Sequence, residues 1–212
     1  MNNYLAALVI VGLFIDYYFE VTKYEFKNVH FSGNGRIIIG PDCLHLYFDF
    51  GTNVGIQIRK LFEPELYPGS QILPIFDSYF GYALERRDPG AVCAIGVEPN
   101  SAHEVRLMKL EAAYNNHSWY TKIFTRTGIG LTSGWMLLKS DGDKTNHEWG
   151  AQLVDDVKEI NEETPGAVRV LDVVEIMREF LVMNGSVNST TSSNRKVVVK
   201  VDIEGMDENV NT

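Results

Sequence analysis

Positive charge is scarce in this chain. Its 212 residues include 19 Lys and Arg against 28 Asp and Glu, which gives a formal net charge of -9 at pH 7. Proteins that bind nucleic acids neutralise phosphates with clustered Lys and Arg. The charge balance therefore predicts no nucleic-acid partner.

Cysteine is scarce as well, because Cys43 and Cys93 are the only two in the sequence. Both lie in apolar runs that resemble strands. A disulfide-rich scaffold and a cysteine-based metal site each need more cysteines at characteristic spacings. We therefore expect both residues to be small core side chains, and we predict no metal site.

The rest of the composition is that of a globular protein, with 45% hydrophobic and 22% charged residues. A chain of this length fits one domain with a hydrophobic core, which we assign to residues 24–212. Residues 1–23 form a separate segment, because residues 4–15 are an uninterrupted apolar run with no Lys or Arg before it. The run is short for a membrane span and has the length of a signal-peptide core or a buried helix.

The role of this N-terminal segment stays open between a signal or membrane anchor and a packed helix. Localisation stays open with it, between the secretory pathway or a membrane and the cytoplasm. Asn-x-Ser/Thr sequons, among them those at Asn116 and Asn188, are glycosylation acceptors if the chain enters the secretory pathway.

Strand and helix patterns alternate from residue 44 onward, which predicts an α/β domain with a parallel sheet. The predicted strands are nearly all apolar, as expected where both faces of a sheet are buried. A capping box of Ser101 and Glu104 predicts the start of the second helix. The segment 63–90 contains four of the seven prolines and is predicted to be an irregular insertion. The predicted elements are a hairpin over 28–31 and 36–39, strands over 44–50, 92–97, 119–124 and 196–201, helices over 56–62 and 101–114, a turn over 125–130 and a β-like run over 131–138.

The strongest functional pattern is the glycine turn after the first central strand, Asp49-Phe50-Gly51-Thr52-Asn53-Val54-Gly55. Glycines allow the backbone to approach a ligand closely, and parallel sheets bind ligands at the carboxyl ends of their strands. An acid within the turn distinguishes it from the G-x-G-x-x-G dinucleotide fingerprint, and this acid would repel a pyrophosphate. The pattern therefore disfavours a nicotinamide-dependent oxidoreductase.

A carboxylate in this turn suits a cofactor that carries an ammonium group, through a charge-assisted hydrogen bond. A second acid, Glu98, follows the next predicted strand, where it would accept hydrogen bonds from the two ribose hydroxyls. Together the two acids favour binding of S-adenosylmethionine.

Four sequence blocks in register carry a resemblance to a known family. They are residues 48–55, residues 97–100 (Val-Glu-Pro-Asn), residues 169–172 (Arg-Val-Leu-Asp) and residues 199–205 (Val-Lys-Val-Asp-Ile-Glu-Gly). In these blocks the chain resembles the FkbM family of class I S-adenosylmethionine-dependent methyltransferases.

The resemblance implies a Rossmann-like class I methyltransferase fold, with a doubly wound and mostly parallel sheet. It implies methyl transfer from S-adenosylmethionine to a hydroxyl of a small molecule or sugar. It also implies a set of site residues that share the carboxyl edge of the sheet. Asp49, Gly51, Asn53 and Gly55 would line the methionine part, Glu98 would hold the ribose, Asn100 with a turn at Thr127 and Gly128 would lie near the ribose and adenine, and Asp202 and Glu204 would face the methyl group and the acceptor.

Two alternatives remain beside this interpretation. The family's sheet continues with further strands after residue 205, so we expect a sheet that is incomplete at its C-terminal edge, and a non-catalytic cofactor-binding remnant is the second hypothesis. The candidates for the base that takes up the acceptor's proton are Asp202 and Glu204, and four histidines are alternatives to them. They are His45, His103, His117 and His147. The acceptor and the oligomeric state are not indicated by the sequence.

Overall fold

The computed structural model describes residues 8–11, 29–31, 37–39, 43–139, 152–154, 160–174 and 195–202. These residues form strands and helices that we number in chain order. The strands are β1 (Leu8–Val11), β2 (Val29–Phe31), β3 (Ile37–Ile39), β4 (His45–Phe50), β5 (Val92–Glu98), β6 (Thr121–Thr125), β7 (Thr127–Gly130), β8 (Gly134–Lys139), β9 (Gln152–Val154), β10 (Ala167–Asp172) and β11 (Lys196–Val201). The α-helices are α1 (Ile56–Phe62), α2 (Leu73–Phe80), α3 (Ala83–Arg86) and α4 (Glu104–Asn116).

The central sheet has the strand order β1-β11-β4-β5-β6. Strands β11, β4, β5 and β6 run parallel to one another, and β1 is antiparallel to β11. The predicted α/β architecture with a mostly parallel sheet is therefore confirmed. Because the chain continues from β4 to β5 on one side and returns to β11 on the other, the strand order reverses beside β4. Ligands in open α/β sheets bind at this position, beyond the carboxyl ends of the strands.

Helices α1, α2 and α4 cover one face of the central sheet. Helix α1 buries residues spaced three and four apart, as expected for the inner face of an amphipathic helix. Its start and end agree with the predicted helix over 56–62. The buried residues of this layer are Tyr47, Ile58, Leu61, Phe62, Ile72, Phe76, Phe80, Val92, Ala94, Leu107, Tyr114, Ile123 and Val198.

The prediction of an irregular insertion over 63–90 is wrong. The segment holds a 3₁₀ turn (Pro64–Leu66) and the helices α2 and α3. Pro74 lies in the first turn of α2, where a missing N–H group is not needed by the helix. Buried Arg86 fixes this segment, since it donates hydrogen bonds to the carbonyls of Leu61 and Gly81 and pairs with Asp77.

A second sheet covers the other face within the part of the chain that is described. Its strand order is β7-β10-β8-β9, and Ile129 and Leu171 pack from it against the central strands. The sequence predicted a doubly wound sheet, with helices on both faces; in the described residues helices cover one face and strands of the second sheet cover the other. The predicted turn over 125–130 is also wrong, because the turn is confined to Arg126 and β7 begins at Thr127.

Strand β1 pairs with β11 at the edge of the sheet that the sequence predicted to be incomplete. Residues 8–11 are thus extended, in contrast to the packed-helix alternative. The predicted hairpin is confirmed by the antiparallel pair β2 and β3. None of the helices in the described ranges has the length and apolar character needed to cross a membrane.

Cys43 and Cys93 form a disulfide, which overturns the expectation of two separate core cysteines. Both side chains are fully buried, as predicted. Cys43 lies just before β4 and Cys93 lies in the neighbouring β5, and their Cα atoms are 5.7 Å apart, although the strand register pairs Cys93 with Leu46. This separation is within the range that a disulfide can span.

Candidate functional site

The candidate site lies where β4, β5 and β11 end. In register, Asp49 stands between Gly96 of β5 and Lys200 of β11. All three face the helical layer, because successive strand residues alternate faces and Tyr47 and Val198 belong to that layer. The absence of a side chain on Gly96 leaves room for Thr52, whose Oγ1 would lie 2.6 Å from an added Cβ.

Glu98 joins the turn after β4 to the turn after β5. Its Oε2 accepts a hydrogen bond from the Asn53 backbone N–H at 2.6 Å, and its Oε1 accepts one from the Asn100 N–H at 2.8 Å. The residue is 5% exposed, and burial raises the pKa of its carboxyl to about 7, although the two N–H donors oppose this rise. Glu98 therefore lies between its charged and neutral forms near neutral pH.

Asp49 is fully buried and pairs with Lys200. The Lys200 Nζ lies 3.1 Å from Asp49 Oδ1, with the geometry of an ion pair rather than of a directed hydrogen bond. The same ammonium donates a hydrogen bond to the Gly51 carbonyl at 2.7 Å. Burial raises the pKa of the Asp49 carboxyl, and the charge of Lys200 opposes part of that rise.

The glycines of the turn are required by the protein itself. A Cβ on Gly51 would lie 2.0 Å from the backbone carbonyl oxygen of Asp202, and one on Gly55 would lie 2.4 Å from Leu110 Cδ2. Both glycines have positive φ, at 76° and 86°. They therefore let β11 and α4 approach the turn closely, a role that the sequence pattern does not distinguish from ligand contact.

Asn53 and Asn100 are both at the site, and each uses its side chain to order a turn. Asn53 has a left-handed backbone with φ 52°, and its Oδ1 accepts the Val54 N–H. Asn100 caps the following helical turn, because its Oδ1 accepts the Ala102 N–H at 2.9 Å. The predicted capping box at Ser101 is therefore wrong, since the cap lies one residue earlier.

Thr127 and Gly128 lie in strand β7 rather than in the turn expected near the adenine. They pair with Arg169 and Val170 of β10. The Thr127 hydroxyl donates to the Thr125 carbonyl at 3.1 Å. Thr125 is the register partner of Glu98. Thr127 therefore lies next to the site, and the chain from Thr127 to Gly128 continues away from it into the second sheet.

Asp202 follows β11 directly and is 69% exposed at its side chain. Its backbone N–H donates to the Phe50 carbonyl, and its Oδ2 lies 3.4 Å from Lys200 Nζ. A carboxylate with this exposure is accessible to solvent. Glu204 lies outside the described residues.

Of the histidines proposed as bases, two lie at the wrong edge of the sheet. His45 is the first residue of β4, stacked on Phe80, and His117 follows the C-terminal end of α4, stacked on Trp119. Since β4 has six residues, His45 lies roughly 17 Å from the glycine turn. His103 is buried in the 3₁₀ turn after Asn100, and His147 lies outside the described residues.

Lys200 is the site residue that sequence reasoning missed. It is 5% exposed, within a strand whose other residues are mostly Val. A charge at the centre of a buried strand needs a partner, and Asp49 is the acid of the neighbouring strand. The single Lys in the run Val-Val-Val-Lys-Val was therefore a usable signal.

The arrangement offers a network of charged groups. Within the described ranges, no three His, Cys, Asp or Glu residues lie close enough to hold a metal ion.

Comparison of the chain with family models, with curated proteins and with solved structures finds no match.

Proposed function

We propose that this chain binds S-adenosylmethionine at the carboxyl edge of β4 and β5 and transfers its methyl group to a hydroxyl of a small molecule or sugar. The single observation that carries the proposal is the pair of buried acids, Asp49 and Glu98, at the ends of adjacent parallel strands. Buried acids with raised pKa values are costly to a fold and concentrate at functional sites.

A buried polar atom near the turn that lacks a partner supports a ligand there. The Oε1 of Gln57, in the first turn of α1, accepts no hydrogen bond from the described residues. Buried polar atoms in folded proteins are nearly always hydrogen-bonded. A ligand that donates a hydrogen bond beside the start of α1 would satisfy this oxygen.

Glu98 fits the ribose end of this cofactor. Each of its oxygens accepts one backbone N–H, and a carboxylate oxygen has room for a second donor. Two vicinal hydroxyls are such donors. Their binding would stabilise the charged form of Glu98, so affinity should rise with pH around 7, where this carboxyl titrates.

Asp49 fits the ammonium end less directly. Lys200 already holds a cation against this carboxylate, and the fully buried Asp49 lies beneath the turn. We therefore propose that Asp49 acts on the cofactor by fixing the turn through Lys200. The backbone of residues 51–55 then makes the nearer contacts.

The bound cofactor would supply a methyl group on a sulfonium. The chain would need to align an acceptor oxygen with that group and take up its proton. Asp202 is the described residue suited to proton uptake, since its carboxylate is exposed and directly follows β11. The Lys200 Nζ lies 3.4 Å from its Oδ2.

The test is a calorimetric titration with S-adenosylhomocysteine at about pH 6 and pH 8. We expect saturable binding that is tighter at the higher pH and at least about tenfold weaker in Glu98→Ala. Asp88→Ala is the matched control, because Asp88 is an exposed acid just before the same strand and should leave affinity unchanged. Absence of binding to the folded wild-type chain would refute the proposal.

A second candidate function is cofactor binding without chemistry. It is favoured by the positions of His45 and His117, two of the candidate bases, which lie at the opposite edge of the sheet. Incubation with methyl-labelled cofactor and a panel of hydroxyl acceptors separates the two candidates. Binding with no label transfer to any acceptor would favour the second candidate.

A further inference from the structure

The end of α4 carries a sequon that the proposed site does not use. Asn116, the last residue of the helix, begins the triplet Asn116-His117-Ser118. Asn116 is exposed, and its side chain makes no hydrogen bond to any described residue. Such a triplet at an accessible position is an acceptor for an N-linked glycan.

The preceding residue has the opposite character. Asn115 Nδ2 donates to the Thr121 carbonyl at 2.9 Å, and Asn115 Oδ1 accepts the Thr121 N–H at 3.0 Å. Asn115 thus joins α4 to β6, while Asn116 beside it is available for modification.

The Cys43–Cys93 disulfide supplies an independent observation on the compartment. It is fully buried between adjacent strands of the central sheet. Two thiols form such a bond by passing two electrons and two protons to an oxidant such as a disulfide of an oxidoreductase, which becomes a dithiol. These bonds persist in oxidising compartments, which in eukaryotic cells are also the compartments of N-glycosylation.

We propose that this chain folds in an oxidising secretory compartment and carries an N-linked glycan on Asn116. In the transfer, the Asn116 amide nitrogen bonds to the anomeric carbon of a lipid-linked oligosaccharide. The bond from that carbon to the lipid diphosphate breaks, the diphosphate leaves, and the amide proton passes to a base of the transferase.

The fold keeps this glycan away from the candidate site. Helix α4 starts beside Asn100 at the carboxyl edge and returns the chain to the amino edge, where β6 begins. Its 13 residues span about 20 Å. A glycan on Asn116 therefore leaves the turns of Glu98 and Asp49 accessible.

The test is expression of the full chain in cultured animal cells, with Asn184→Gln and Asn188→Gln present throughout so that only the Asn116 sequon remains. We expect a band that an amide-cleaving endoglycosidase shifts, with Asn116 converted to Asp in the peptide mass spectrum. Asn116→Gln and Ser118→Ala should each abolish the shift while the protein still folds, as judged by circular dichroism.

Alkylation under denaturing conditions provides the second readout. Cys43 and Cys93 should react with iodoacetamide only after reduction. A chain with an unmodified Asn116, or with both thiols alkylated before reduction, would overturn the proposal. Neither outcome bears on whether S-adenosylhomocysteine binds, so failure here is distinct from failure of the proposed function.

Discussion

Removal of the Lys200 ammonium should destabilise the fold through Asp49. The Lys200→Met variant keeps an unbranched apolar side chain in the strand and removes the charge. It leaves Asp49, which is fully buried, without the cation at 3.1 Å, and it removes the donor to the Gly51 carbonyl. Breaking a buried ion pair at one partner costs roughly 3–5 kcal/mol, so we expect a loss of that size in the free energy of unfolding near pH 8.

The Asp49→Asn substitution should recover part of this loss. With the buried negative charge gone, the remaining cost of Lys200→Met is the unsatisfied Gly51 carbonyl, about 1–3 kcal/mol. We therefore expect the double variant to be more stable than Lys200→Met alone. Double-mutant cycles isolate this coupling because each substitution removes one partner of the same pair.

The pH dependence of the stability loss in Lys200→Met provides a further test. Burial raises the folded-state pKa of Asp49 above its ordinary value, and loss of Lys200 raises it further. A group with a raised folded pKa stabilises the fold at low pH and loses that contribution as the pH rises through the folded pKa. The deficit of Lys200→Met should therefore shrink as the pH is lowered.

Urea unfolding followed by tryptophan fluorescence measures the free energy of unfolding of the wild type, the two single variants and the double variant. Trp119 is a suitable probe because it packs against Phe62 in the core. Lys122→Met is the control. Lys122 is also a strand lysine paired with an acid, Glu111 at 3.1 Å, but Glu111 keeps a hydrogen bond from a backbone N–H. We expect a smaller loss there than in Lys200→Met, because the backbone donor keeps Glu111 hydrogen-bonded. A double variant no more stable than Lys200→Met would refute the coupling between Lys200 and Asp49.

Three further predictions concern the turn, the second acid and the disulfide. Gly51→Ala should cost roughly 1–3 kcal/mol more than Gly69→Ala in urea unfolding, because both glycines have positive φ but only Gly51 has a backbone atom in the way; equal losses would contradict this. Unfolding free energy should fall by up to about 3 kcal/mol as the pH rises through 7, because the folded pKa of Glu98 lies above its ordinary value, and Glu98→Gln should remove this slope. The Cys43→Ala/Cys93→Ala variant should unfold with about 4 kcal/mol less free energy, from the 50-residue separation that the disulfide closes, whereas a loss below about 1 kcal/mol would refute this estimate.

The central strands were predictable because their signals are local. Strands β4 and β5 are apolar on both faces, and only a buried parallel sheet tolerates this pattern. Helix α1 was predictable because a glycine with positive φ precedes a run of apolar residues at helical spacing. In these elements the local preference and the tertiary structure agree.

The errors arose where distant contacts decide the structure. Prolines over 63–90 suggested an irregular segment, yet Pro74 starts a helix whose buried Phe76 and Phe80 pack on the sheet. Cys43 and Cys93 meet because the segment before β4 packs beside β5, which periodicity alone does not reveal. The second sheet was missed because β7 and β10 are separated by about 40 residues.

The sequence predicted where the two acids lie in the sheet but not which residues they contact. Asp49 and Glu98 do lie at the ends of adjacent parallel strands. Neither the distance between them nor a partner for either could be read from the residue pattern, because the ion pair with Lys200 and the two backbone donors to Glu98 depend on how the strands and turns pack.

The energetic cost of these buried charges argues that the carboxyl edge is used for recognition. Apolar residues of similar volume in place of a buried ion pair are often neutral or stabilising, so stability alone does not favour Asp49 and Lys200 in the core. Glu98 adds a second cost, because burial holds its carboxyl near a pKa of 7. The amino edge of the same sheet instead carries the disulfide and the pairing of Asn115 with β6, which stabilise it. Costly charges at one edge and stabilising contacts at the other are the distribution expected when ligands are bound at the first edge and the scaffold is held by the second.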